Sequence, residues 1–166
     1  MLLLLVFIFF LILENLFLPA LIGPGPFLAT QIFILAVIVY SKSWKELAVT
    51  ALLFILIKEF VSGNGVGSLM VPFFITAGLY LIINRFLNIR DNLAENNSLS
   101  GLIVSTLVLV SFNFIYAWFY ILYHAASYNV GSAWNYWVSL PMMSLFSTLG
   151  WSVGISILFK YVLKTK

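Results

Sequence analysis

Leu2-Leu3-Leu4-Leu5-Val6-Phe7-Ile8-Phe9-Phe10-Leu11-Ile12-Leu13-Glu14-Asn15-Leu16-Phe17-Leu18 is apolar without a break as far as Glu14, and apolar again after Asn15. Such a run predicts a bilayer-crossing helix, since the hydrocarbon core takes about 20 residues of helix. A secretory signal peptide is the other reading of an N-terminal apolar run. This one has no basic leading segment, its apolar stretch is too long and no small-residue cleavage pattern follows, so it is kept as a helix.

The same texture repeats outward from it. The spacing predicts helices at about Leu2 to Leu18, Phe27 to Tyr40, Trp44 to Val61, Ser68 to Leu87, Leu102 to Tyr123 and Trp137 to Leu163. Gly23-Pro24-Gly25-Pro26 cannot continue a helix, and Gly63-Asn64-Gly65-Val66-Gly67-Ser68 gives a tight reversal. Asn88 to Ser100 is the long polar loop. Over all 166 residues the chain is 63% hydrophobic and 8% charged. A soluble domain of that size needs more surface charge than eight basic and five acidic residues supply, whereas lipid solvates an apolar exterior. The fold class is therefore all-α, a polytopic integral membrane protein of about six transmembrane helices forming one domain over 1–166.

The basic loop residues alternate. Lys42 and Lys45 lie between the second and third helices, Arg85 and Arg90 between the fourth and fifth, and Lys160, Lys164 and Lys166 at the C-terminal end. The intervening connections carry no Lys or Arg, so the positive-inside rule predicts both termini in the cytoplasm. Asn96-Asn97-Ser98 then falls in a cytoplasmic loop and is no glycosylation site. The net charge of +3 is scattered at helix ends rather than gathered in a patch, so it argues against nucleic acid as a partner and reports orientation, while the apolar exterior makes membrane lipid the expected surroundings. With no cysteine there is no disulfide, thiolate metal site or cysteine nucleophile.

Charges within a span cost about 2.5 to 3.5 kcal/mol each at a helix centre, so Glu14, Lys58 and Glu59 require an account. At about 1.5 Å rise per residue, Glu14 lies about 20 Å from the cytoplasmic start of its helix and Lys58 about 18 Å from that of its own. Equal depth makes Glu14 and Lys58 an intramembrane ion pair. Glu59 points about 100° away from Lys58 on the same helix and is left facing a polar cavity or a partner. Snorkelling of all three toward the outer interface is the competing account. Gln31 and Asn113 are amides suited to hydrogen bonds across helices. Gly150 and Gly154, with Ser147 one turn earlier, form a small-residue face for helix packing, within the chain in the first instance and between copies in the second.

Trp118, Tyr120, Tyr123, Tyr128, Trp134, Tyr136 and Trp137 crowd the outer ends of the fifth and sixth helices as an interfacial aromatic belt. With His124, Asn129 and Asn135 they could instead line a stacking pocket for a flat ligand. The single His has no companions at ligand spacing, so no metal and no cofactor is expected. No nucleophile elbow, phosphate loop or metalloprotease His pair occurs, which points away from an enzyme.

Lys58-Glu59-Phe60-Val61-Ser62-Gly63-Asn64-Gly65-Val66-Gly67, closing the third helix just before a fourth, resembles the signature of the MreD family of rod-shape-determining membrane proteins. That signature has an acidic residue, two apolar residues, Ser-Gly, and a further Gly four residues on; Glu59, Ser62, Gly63 and Gly67 occupy those places. Chain length, span number, a Pro-containing first outer loop and a basic C-terminal end also match. Glu59 stands where Asp is usual, and Ala51 and Ile55 stand where the family commonly has glycine, as in a divergent member. The resemblance implies a non-enzymatic scaffold in the bacterial inner membrane. Its partner would be an MreC-like bitopic protein, and it would help couple the actin-like MreB filament to peptidoglycan synthases. Glu59, Ser62, Gly63 and Gly67 would be the partner-binding residues.

The rival is the substrate-binding subunit of an energy-coupling-factor vitamin transporter, similar in size and helix count. It would use the outer aromatic residues as its pocket and a small-residue motif in the first helix for docking. The first helix here is rich in Leu and Phe and has no alanine pair at four-residue spacing.

Overall fold

The computed structural model describes residues 2–22, 29–40, 44–62, 67–89, 99–127 and 146–163. These form six helices, and the described residues contain no strand. Helix α1 runs over Leu2–Ile12, widens into a π-helical turn at Leu13–Phe17 and resumes over Leu18–Ile22. Then come α2 (Ala29–Tyr40), α3 (Trp44–Ser62), α4 (Met70–Leu87) and α5 (Leu99–Ser127). Helix α6 covers 146–163, and its end, Leu158–Leu163, is again π-helical. The first and fifth helices outrun their expected ends, and the part of the sixth expected at 137–145 lies outside the described residues.

The widened turn in α1 has a chemical cause. Pro19 has no N–H to offer the carbonyl of Asn15, and its ring crowds that carbonyl. The helix answers one turn earlier by loosening its spacing, so that the Leu18 N–H reaches the Leu13 carbonyl, five residues back. The Asn15 side chain donates to the Leu11 carbonyl at 2.8 Å and adds a bond across the loosened stretch. Glu14 still falls on the face that carries Phe7 and Phe10 into the core, because positions 7, 10 and 14 follow helical spacing.

Helix α2 is apolar on every side, and every residue from Ala29 to Val37 is buried. A helix of that kind belongs at the centre of a bundle. Its Phe33 is the hub of the core, with ring centroids 5.4 Å from Phe10, 6.3 Å from Phe54 and 5.4 Å from Phe159. Phe7 and Phe54 stack face to face at 4.2 Å, locking α1 to α3. Phe10 meets Trp151 of α6 edge-on at 5.8 Å. Tyr80 of α4 donates to the Val39 carbonyl at the other end of α2.

The outward faces are apolar as well. Leu5, Phe9, Leu16, Ile82, Ile103, Leu107 and Ile157 all stand exposed. Three helical segments, Leu2–Ala20, Met70–Leu87 and Leu99–His124, are long and apolar enough to cross a membrane. Helix α2 is apolar but shorter. Helix α3 carries Lys45, Glu46, Lys58 and Glu59 within its 19 residues.

Candidate functional site

The polar groups of the bundle gather at the ends of α1 and α3 and the starts of α2 and α4. Core positions of α3 recur at Ala51, Phe54, Ile55, Lys58 and Glu59, a helical stripe that leaves Phe60 and Val61 on the outside. The stripe therefore carries both charges inward. Lys58 Nζ lies 3.1 Å from Glu14 Oε1, with both side chains about nine-tenths buried (9% and 11% exposed). The other carboxylate oxygen of Glu14 accepts the Thr30 N–H at 2.7 Å. Thr30 sits in the first turn of α2, where backbone N–H groups have no helical partner and the helix dipole favours a negative charge. The Glu14 carboxylate thus joins three helices.

Glu59, expected to face a polar cavity or a partner, turns to the start of α4. It is 4% exposed, and its Oε1 accepts the Leu69 N–H at 3.0 Å and the Ser68 hydroxyl at 3.4 Å. Leu69 is the N-cap residue of α4, immediately before Met70. Glu59 thus does for α4 what Glu14 does for α2: a glutamate near the end of one helix satisfies the start of the next. Tyr116 of α5 donates to the Leu69 carbonyl at 3.4 Å and holds the same corner from the far side.

Gly67 has φ +94°, a conformation that side-chain-bearing residues seldom adopt. Gly63 and Gly65, the other glycines of the reversal, lie outside the described residues. A Cβ at Gly67 would meet Tyr123 Oη at 3.5 Å and Val71 at 3.7 Å, which is ordinary contact, so the backbone rather than space requires glycine. Ser62 is exposed and donates to the Lys58 carbonyl at 2.8 Å, closing the last turn of α3. Along α5, Tyr116, Tyr120 and His124 follow one another as a column, with 6.2 Å between the first two rings and 4.3 Å between the last two. Of the outer aromatic and polar residues singled out in the sequence, Tyr128, Asn129, Trp134, Asn135, Tyr136 and Trp137 lie outside the described residues.

The two amides find each other. Gln31 Nε2 donates to Asn113 Oδ1 at 3.0 Å, and Asn113 Nδ2 donates to Thr148 Oγ1 at 3.4 Å, tying α2, α5 and α6 together. Two turns further along the same pair of helices, Thr106 Oγ1 donates to Ser156 Oγ at 3.5 Å. Helix α6 therefore packs through Thr148, Ser152, Ile155, Ser156 and Phe159. Among the described residues, the glycine face expected to pack inside the chain has no neighbour: Gly150 and Gly154 are exposed, no described residue approaches within 4 Å of where their Cβ atoms would stand, and Ser147 is half-buried beside them. Hydroxyl groups won the interface because the facing helix offers Asn113 and Thr106, which need partners in an apolar setting. The signal was present in the sequence as Thr148, Ser152 and Ser156 at four-residue spacing.

No family model, curated protein or solved structure matches this chain.

Proposed function

We propose that this protein is a non-enzymatic scaffold of the bacterial cell-elongation machinery, a divergent relative of MreD. It is read as a multi-pass protein of the cytoplasmic membrane with both termini inside, which binds an MreC-like bitopic protein and helps couple MreB to peptidoglycan synthesis. The observation that carries the reading is the construction of the reversal between α3 and α4. Its acidic residue fixes the start of α4, its serine closes α3, and Gly67 supplies the left-handed residue. A motif spent on shaping a turn suits a scaffold, which needs a rigid surface to present. In this reading Glu59 acts by holding the turn and the exposed Phe60, Val61 and Ser62 make the contact.

The test is capture from native membrane with the full-length chain as bait. An MreC-like bitopic protein is expected among the captured partners. Gly67→Ala should lose it, because the left-handed region costs a side-chain-bearing residue about 1–2 kcal/mol and the turn will relax to avoid it. Gly78→Ala is the control: Gly78 lies within α4, a Cβ there meets nothing within 4 Å, and capture should be unchanged. Failure to capture any such partner, together with stabilisation of the purified protein by riboflavin, thiamine or biotin, would replace this function with that of a vitamin-transporter subunit.

Topology has its own measurement. The chain has no native cysteine, so single cysteines report directly. Ser132→Cys is expected to react with an impermeant thiol reagent on intact cells and Asn92→Cys to be shielded. The opposite pattern means the inverse orientation.

A further inference from the structure

The seam where α6 meets α2 and α5 holds polar groups that its protein partners do not satisfy. Ser152 and Thr30 are both fully buried, and neither hydroxyl has a hydrogen-bond partner in the structure. The usual escape for a helical hydroxyl is the carbonyl three or four residues back. Ser62, Thr76 and Ser105 take it in this molecule, and Ser152 does not.

Their positions are related. Thr30 adjoins Gln31, where the amide relay begins, and Ser152 is one turn beyond Thr148, where it ends. Beyond Ser152 by another turn is Ser156, bonded to Thr106. The order along the seam is Gln31, Asn113, Thr148, Ser152 and Ser156, with the unsatisfied Ser152 hydroxyl between two bonded ones and that of Thr30 next to Gln31 in α2. Hydroxyls four residues apart on a helix are separated by about 6 Å. That is too far for a direct bond and close to two hydroxyl–oxygen bonds of about 2.8 Å end to end.

We infer that this seam is a binding site for ordered water, with Ser152 Oγ as its central ligand: one water bridges it to the Thr148 hydroxyl one turn before, and another bridges it to the Ser156 hydroxyl one turn after. Thr30 Oγ1, on the residue whose backbone N–H donates to Glu14, anchors a separate water at the start of α2. Buried water characteristically makes two to four bonds to otherwise unpaired groups, which is what these hydroxyls supply. A seam bonded through water can exchange those bonds with little loss, so α6 can shift against α2 and α5 without baring polar groups.

The deciding experiment is a structure of the full-length protein in a lipid nanodisc, at a resolution that shows ordered solvent. A solvent peak within hydrogen-bond distance of Ser152 Oγ and of a second polar group of the seam is expected. A Ser152 hydroxyl turned onto the Thr148 carbonyl, with no peak beside it, overturns the inference. Ser152→Ala gives an independent reading by sign. Loss of a water's anchor lowers the thermal midpoint, by about 2 °C for a chain of this size. An unchanged or raised midpoint means that a dry, unsatisfied hydroxyl has been removed, and the site falls.

Discussion

Lys58→Met should cost about 3 kcal/mol of stability, because removing one partner of a buried ion pair strands the other. The stranded group is Glu14, which would retain only the Thr30 N–H against its charge. Methionine is chosen because its length and apolar body follow the lysine stem without leaving a cavity, so the loss reports electrostatics rather than packing. Thermal unfolding in detergent and abundance in the membrane are the two measurements. Adding Glu14→Gln should recover part of the loss, since a neutral amide tolerates burial without a cation and still accepts from Thr30. The double-mutant cycle should return a coupling of about 1–2 kcal/mol between the two sites. Strictly additive losses would show that the contact is bystander geometry.

The second large effect is expected at Glu59. Glu59→Ala removes the acceptor for the Leu69 N–H, which is buried at the start of α4, and for the Ser68 hydroxyl. Leaving that buried donor unsatisfied should cost about 2 kcal/mol. Glu59→Gln keeps an oxygen in the same place and gives up the charge, so it should retain most of the stability that alanine loses. The contrast separates the two roles a buried acid can play. Hydrogen exchange at the amides of the first turn of α4 localises the effect, and alanine should raise exchange there first. An alanine variant as stable as the parent would mean that Leu69 has another acceptor and that Glu59 does not hold the turn.

The sequence disclosed depth more readily than direction. Counting residues from the helix starts put Glu14 and Lys58 at one level, and the structure brings them to 3.1 Å. The same count could not say which way Glu59 turned. Its position relative to Lys58 excluded a mutual bond, but the partner it found is a backbone N–H ten residues away, and backbone groups carry no sequence signal. Gln31 and Asn113 were legible as amides in need of partners, while their choice of each other depended on α2 lying at the centre. Helix α6 was misread for a related reason. Gly150 and Gly154 have the spacing of a packing face, yet the hydroxyl stripe on its other side had more to gain from Asn113 and Thr106. The widened turn in α1 was latent in Pro19, whose effect falls one turn before the residue that causes it.

The described part of helix α2, Ala29–Tyr40, has 12 residues, about 18 Å of helix against a hydrocarbon layer of about 30 Å. What sets this stretch apart is its enclosure by protein. Its sheath comes from α1 and α3 on either side of it in the chain, from Asn113 of α5 and from Phe159 of α6. Both α5 and α6 follow α2 in the chain. The element that ends at the centre of the molecule is therefore made before two of the helices that enclose it, and until α5 is made Gln31 lacks the Asn113 side chain that it bonds in the folded state.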